Sequence, residues 1–492
     1  VTVATKTGIH YEAVIGIECH VELKTATKMF CGCKNVFGAD PNTNVCPICL
    51  GMPGALPVPN RTAIEHMVRA GLAFGCAIPS FSKFDRKNYF YPDMPKDYQI
   101  SQYDMPICSG GSVSFWLADG TKRSVALTRI HLEEDTGKST HGGSTDGRIA
   151  GSDYSLLDFN RAGVPLMECV SEPDIRTAEE AVGYLEALRR TFVMLGVSDV
   201  KMEEGSLRCD ANVSVRPRGA SGYGTKTEIK NMNSFRSVFR AIESEVARQI
   251  ALLERGERIV QETRGWDENE GTTHSMRSKE QAHDYRYFPD PDLVPLDLSQ
   301  DEIEKVRKAM ATLPQARIGR YIESDGIAPV QAHQIVDTPG LADYFDEVRS
   351  HGAPAQAALN YLLGDLSRLA NESGTRIDAS GVTPAAVAEL VALSESNTIN
   401  SKTAKDLLER LWRDGGSPGA IVEREGLAQV SDAGAIDAIV ADVVAANEKT
   451  VADYRSGKTK VMGFLVGQVM KASKGKANPQ LAEERLRAHL ES

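Results

Sequence analysis

Three segments in the first half of the chain alternate strictly between apolar and polar positions, the period of a strand with one face buried. In Ile15–Leu23 the residues Ile15, Ile17, Cys19, Val21 and Leu23 form one face, and Glu18, His20 and Glu22 the other. In Ser206–Arg216 the apolar set is Leu207, Cys209, Ala211, Val213 and Val215; Ser206, Arg208, Asp210, Asn212, Ser214 and Arg216 oppose it. A third strand, Gly224–Lys230, aligns Lys226, Glu228 and Lys230. Helical spacing replaces alternation in two places. One helix opens at the capping box Thr177-Ala-Glu-Glu180 and stops near Gly196, and a second runs from Ser234 to Gly256. Both are expected to cover a sheet. Beyond Pro295 the chain turns almost wholly helix-forming, beginning at the capping box Ser299–Glu302, with a breaker-rich linker at Arg413–Gly419. The expected organisation is an α+β domain over 1–294, an all-helical domain over 295–412 and a small helical tail over 413–492.

Composition narrows the class. A chain of 492 residues has room for two to four domains. Its hydrophobic content of 41% and charged content of 25% are those of a globular protein. No apolar run reaches the ~20 residues of a membrane span, and the first residues lack the apolar core of a secretory signal. The expected location is the cytoplasm. A net charge of −11 disfavours indiscriminate nucleic-acid binding, although a local basic surface could still grip RNA.

The polar strand faces carry carboxylates, a histidine, an amide and basic groups, where a merely solvated sheet carries mainly Thr, Ser and Lys. Hard oxygen ligands suit Mg²⁺, and Arg or Lys beside them suits phosphate. Thr128–Asp135 adds Glu133, Glu134 and Asp135 at the end of a further strand. No phosphate-cradling loop accompanies these groups. Gly137-Lys-Ser-Thr140 imitates the end of a P-loop, but Leu132 stands where the leading glycine is required. Gly219–Gly224 reads as a hairpin loop. A nucleotide would therefore bind on the sheet through metal ions and side chains.

Of nine cysteines, Cys31, Cys33, Cys46 and Cys49 crowd together, while the others are scattered as reduced core residues would be. Cys-Gly-Cys followed by Cys-Pro-Ile-Cys-Leu-Gly is a zinc pattern, since four thiolates satisfy the tetrahedral ion. A closed shell of four protein ligands predicts a structural Zn²⁺. Disulfides and a redox Cys-x-x-Cys are the alternatives.

Several phrases resemble the B subunits of aspartyl/glutamyl-tRNA amidotransferases. They are Ile15–Lys24, Lys83–Asp93, Ile130–Asp135, Lys201–Asn212, Asp284–Asp290 and Lys460–Lys474, which together sample nearly the whole chain. The resemblance implies an antiparallel-sheet cradle like those of glutamine synthetase and guanido kinases, then a helical domain and a tail. It implies ATP-dependent phosphorylation of the side-chain carboxylate of Glu-tRNA(Gln) or Asp-tRNA(Asn), followed by amidation. Ammonia would come from a glutaminase of the amidase family, the A subunit, with the small C subunit in a heterotrimer. By the resemblance, Glu18, His20, Glu133 and Glu134 fall where the family places Mg²⁺. The sheet faces add Glu203, Asp210 and Asn212 as further ligands or water holders, and Lys87, Arg208, Lys226 and Lys230 as phosphate contacts.

Between Tyr454 and Lys476 stand Arg455, Lys458, Lys460, Lys471, Lys474 and Lys476 with no acidic residue, a local reversal of sign suited to tRNA phosphates. Gly463 and Gly467 are expected to allow close helix packing. Two rival readings remain at this stage: a non-catalytic zinc-bearing tRNA scaffold, and a self-sufficient ATP-dependent ligase or glutaminase. The second lacks support, because Gly142-Gly-Ser-Thr145 has no amidase context and no cysteine has a glutaminase setting.

Overall fold

A computed structural model describes residues 8–143, 152–278, 284–429, 433–473 and 476–491. The chain divides into two compact units, 1–320 and 321–492.

The first unit is built on a nine-stranded sheet. Its members in chain order, together with three strands of a separate sheet and three helices, are β1 (Tyr11–Glu22), α1 (Arg61–Ala73), β2 (Asp85–Asn88), β3 (Tyr98–Ser101), β4 (Cys108–Ser109), β5 (Ser112–Trp116), β6 (Lys122–Glu134), β7 (Pro165–Ser171), α2 (Ala178–Met194), β8 (Leu207–Pro217), β9 (Thr227–Lys230), α3 (Phe235–Glu254), β10 (Glu262–Asp267), β11 (Thr272–Ser278) and the short strand β12 (Phe288–Pro289). The sheet order is β11-β10-β9-β8-β1-β7-β6-β4, with β5 also on β6. All of these pairings are antiparallel except β9 with β10. Strands β12, β2 and β3 form a separate three-stranded sheet.

The alternation of β1 and β8 does what its period requires. Ile15, Ile17, Cys19 and Val21 are at most 1% exposed, and Leu207, Cys209, Ala211, Val213 and Val215 join them in the core. Each such aliphatic side chain contributes about 1.5–3 kcal/mol by leaving water. Helices α2 and α3 cover this apolar face. Thr177 caps α2 by accepting from the Glu180 N–H, and Ser234 caps α3 by accepting from the Ser237 N–H, as their sequences predict. The third strand is shorter than expected. Gly224 lies so close to β8 that a Cβ there would collide with the Val215 carbonyl, and pairing begins only at Thr227. Lys226 is therefore outside the strand and exposed.

The second unit is helical. Near its end, helices Ala433–Ala446, Glu448–Arg455, Met462–Ala472 and Pro479–Glu491 share a core of Ile436, Val440, Leu465, Val469, Leu486 and Leu490. Gly463 and Gly467 correct an expectation: an added Cβ at either meets nothing within 4 Å, so among the described residues neither serves close helix packing. Among the described residues no helix is long and apolar enough to cross a membrane.

Candidate active site and cysteine cluster

Strand register builds the site. Across β8, β1, β7 and β6, Arg208 pairs with His20, His20 with Glu168, and Glu168 with His131. One pleat along, Asp210 faces Glu18, and Glu133 faces Leu166. All these side chains except Leu166 are polar and stand on the face opposite the core, because residues of equal parity share a face.

Donor atoms of His20, Glu133 and Glu168 lie within 4.8 Å of one another. His20 Nε2 is 3.5 Å from Glu168 Oε2 and 3.9 Å from Glu133 Oε1. His131 Nε2 braces the carboxylates from below, 3.1 Å from Glu168 and 3.7 Å from Glu133, and the Ser101 hydroxyl donates to Glu133 at 3.2 Å. Burial disfavours a charged ring at His131, yet Glu168 and Glu133 outweigh it and push the imidazole up to about 9. Burial opposes ionisation of Glu168 too, but His131 and His20 hold its carboxyl well below the usual range. Asn212 donates to Glu18 at 2.9 Å, and burial followed by repulsion from Glu168 and Asp210 raises the Glu18 carboxyl.

Basic groups flank the cluster. Arg208 is paired with Asp135, whose carboxylate also lies 3.6 Å from Arg161. Lys230 is paired with Asp210 and lies 3.4 Å from Glu228. On the opposite side Lys87 comes from β2, held charged against the cost of burial by Glu133. His20, Lys87, Glu133, Arg208, Asp210 and Lys230 all line one cleft of about 540 Å³. Carboxylates this dense fit a hard divalent cation such as Mg²⁺, with the single imidazole a softer donor beside them.

Not every expected residue joins. Glu134 follows Glu133 and so points to the other face, where it is paired with Lys96 and accepts from the Ile100 N–H at 3.0 Å. Lys226 and Glu203 are exposed and do not line the cleft. Sequence reasoning passed over Glu168 and His131. Glu168 sits in Leu166-Met-Glu-Cys-Val170, with apolar residues on its own face as well as the other, so no alternation marks it.

The Cys31, Cys33, Cys46 and Cys49 sulfurs also converge within 4.8 Å, and all nine cysteines are free thiols. A hydrogen bond from Cys31, working against burial, holds the Cys49 thiol down to about 4, with help from the Cys46 N–H and Lys28. Lys28, 1% exposed, reaches Cys49 Sγ at 3.7 Å and donates to the Asn44 and Phe159 carbonyls at 3.0 and 3.3 Å. One acidified thiol among four, beside a buried cation, is a donor set fitted to a thiolate-bound metal.

In the tail, Arg455, Lys458, Lys460, Lys471 and Lys476 are exposed; Lys474 lies outside the described residues. Lys458 is neutralised by Asp453 at 2.9 Å, just upstream of the run. Arg455 donates to the Leu490 carbonyl at 3.2 Å.

A mixed sheet thus carries a carboxylate–histidine cluster flanked by basic groups, and a helical C-terminal region follows it in the chain. Residues 13–304 match the family model described as the GatB/GatE catalytic domain, and residues 343–490 match that described as the GatB domain. Three proteins named as the B subunit of aspartyl/glutamyl-tRNA(Asn/Gln) amidotransferase are similar over almost all of both chains. That of Carboxydothermus hydrogenoformans is 50% identical over 98% of this chain and 99% of its own. That of Moorella thermoacetica is 52% identical over 98% and 100%, and that of Geobacter sulfurreducens 52% over 97% and 99%. The chain belongs to the family of tRNA-dependent amidotransferase B subunits.

Proposed function

We propose that this protein activates the side-chain carboxylate of Glu-tRNA(Gln), Asp-tRNA(Asn) or both with ATP and then forms the amide. The observation that carries the reading is the cluster at its cleft: His20, Glu133 and Glu168 converge, and His20 and Glu133 line the cleft together with Arg208, Lys230 and Lys87. A carboxylate does not react with ammonia. Transfer of the γ-phosphoryl group to a carboxylate oxygen forms an acyl phosphate and releases ADP. Ammonia then attacks the carbonyl carbon, and inorganic phosphate leaves with the oxygen.

Phosphoryl transfer asks mainly for alignment and charge neutralisation. Arg208, fixed by Asp135, and Lys230, fixed by Asp210, are placed to receive phosphate oxygens. Lys87 is placed to hold the acceptor carboxylate across the cleft. Glu133, Glu168 and Glu18, with His20, would hold Mg²⁺, which when bound supplies neutralisation of the polyphosphate charge. The Cys31, Cys33, Cys46 and Cys49 set would hold a structural Zn²⁺.

The same reading takes the first domain as a cradle like those of glutamine synthetase and guanido kinases, with the boundaries 1–294, 295–412 and 413–492. Its partners are an amidase-family glutaminase, the A subunit, and the small C subunit. Ammonia comes from that glutaminase, because no cysteine of this chain stands in a glutaminase setting and Cys209 is buried in the core. The exposed tail lysines and Arg455 take tRNA phosphates, and the complex works in the cytoplasm. The test is amidation by the reconstituted complex on both mischarged tRNAs. ATP-dependent product on at least one is expected; product formation indifferent to ATP refutes the activation step.

A further inference from the structure

Apart from Lys87, two tyrosine-rich phrases, 83–93 and 284–290, have no part in the chemistry described so far, yet the fold brings them together. Phe288 and Pro289 pair with Arg86 and Asp85, and Asn88 fixes the preceding loop by donating to the Tyr285 and Arg286 carbonyls at 3.1 and 2.7 Å. The result is a shelf of aromatic rings beside the cleft. Tyr103 and Tyr287 stack at 4.4 Å with 13° between planes, and Tyr89 and Tyr91 at 5.6 Å with 19°. Lys87 Nζ lies 4.9 Å from the Tyr285 ring centre, and Tyr285 meets Tyr287 edge-on at 6.2 Å. Lys87 and Tyr89 themselves line the cleft. The outer rings are open to solvent: Tyr103 is 54% exposed, Tyr91 45% and Phe90 70%.

Rings of this size gain by burial, and so many left uncovered beside a reaction centre mark a binding surface. Flat π faces interleaved with cations suit unpaired nucleic-acid bases. Exposed Arg286 adds positive charge at the shelf, and the nearby carboxylate of Asp104 is neutralised by Lys83 at 2.6 Å.

The order of groups along the sheet decides which base. Lys230 on β9, paired with Asp210 of β8, stands at one end, His20 on β1 and Glu168 on β7 in the middle, and Glu133 on β6 with Lys87 and the tyrosines at the other, while Arg208 reaches across from β8 to Asp135 just after β6. Strands are spaced about 4.8 Å apart, so the basic end and the tyrosine end are separated by several strand widths. In-line transfer needs donor and acceptor on opposite sides of the migrating phosphoryl group. With the polyphosphate anchored at Lys230, the acceptor enters from the tyrosine end. An aminoacyl group hangs on the terminal ribose, so the terminal base lies only a few covalent bonds from the reacting carboxylate.

We propose that the tyrosine shelf stacks the unpaired 3′-terminal adenosine of the aminoacylated tRNA and so delivers its carboxylate to the cleft. This rests on the functional reading above, but its test needs no turnover. Binding of tRNA(Gln) with and without its 3′-terminal adenosine is measured on the full complex, for the wild type and for Tyr91→Ala/Tyr103→Ala. The wild type is expected to favour the complete tRNA by on the order of tenfold, and the variant to lose that preference. Tyr103→Phe, which keeps the ring, should retain it. Equal wild-type affinity for both tRNAs overturns the proposal, as does a variant that keeps the preference. In the amidation assay the double variant should raise the KM for tRNA and leave that for ATP unchanged. A rise confined to ATP overturns the proposal by giving the shelf to the nucleotide's adenine. Failure of amidation altogether defeats the functional reading and leaves the binding comparison able to judge the shelf.

Discussion

Glu168 touches both histidines of the cluster, His20 at 3.5 Å and His131 at 3.1 Å, and shares the candidate cation position with Glu133. Removing its charge would weaken cation binding and leave His131 facing one carboxylate in place of two. Glu168→Gln and His20→Ala should each lower ATP-dependent amidation by roughly 100-fold, the usual cost of removing a group that stabilises transition-state charge. Glutaminase turnover of the complex should remain unchanged in both. Retention of near-normal amidation by either variant would remove that residue from the reaction centre. Glu134 belongs to a different environment. Buried at 2% exposure against Lys96, it is placed to hold the end of β6, and any effect of changing it should appear as altered stability as well as rate.

At the scale of elements, α3 is tied to the sheet by more than its apolar stripe. Glu245 is fully buried, accepts from Thr273 at 3.0 Å and from Gln249 at 2.8 Å, and lies 2.6 Å from Arg248 and 3.6 Å from Arg264. Truncating one partner of a buried ion pair leaves uncompensated charge, so Glu245→Ala should destabilise the first domain by about 3 kcal/mol. Denaturant unfolding followed by circular dichroism would measure it; a loss below about 1 kcal/mol would mean solvent reaches the arginines. The cysteine-bearing segment is a second such element. Metal analysis of purified protein should return about one zinc per chain, and Cys46→Ser should abolish it and lower the unfolding midpoint. A wild-type stoichiometry near zero would leave the quartet as four ordinary thiols.

On the scale of the whole molecule, the candidate reaction cleft and the basic tail belong to segments with separate cores. Residues 436–490 form their own apolar cluster, which makes 433–492 the natural segment to remove. Its removal should raise the KM for tRNA several-fold and spare glutaminase turnover, because electrostatic contacts to phosphate contribute affinity and not chemistry. The wild-type KM for tRNA should also rise with salt. Unchanged tRNA affinity after truncation would show that the basic residues of the tail are solvated surface.

Much of this architecture was legible in the residues alone, because the signals are local. Period-two alternation marked β1 and β8 and told which side of each would carry Glu18, His20, Arg208 and Asp210. The caps at Thr177, Ser234 and Ser299 announced their helices, since a side-chain oxygen three residues from an unpaired N–H is a short-range matter. Four cysteines in close spacing announced their own convergence. Tertiary structure decided which strands became neighbours. Only the pairing of β1 with β7 and of β7 with β6 brings Glu168 and His131 to His20, and an apolar run such as Leu166–Val170 carries no mark of that partnership. The separation of Glu133 from Glu134 is by contrast local, because the pleat assigns adjacent residues of one strand to opposite faces whatever their chemistry. The tyrosine shelf again depends on which strands pair. Residues some two hundred positions apart meet through β12 and β2, and a pattern read along the chain cannot carry a contact made across it.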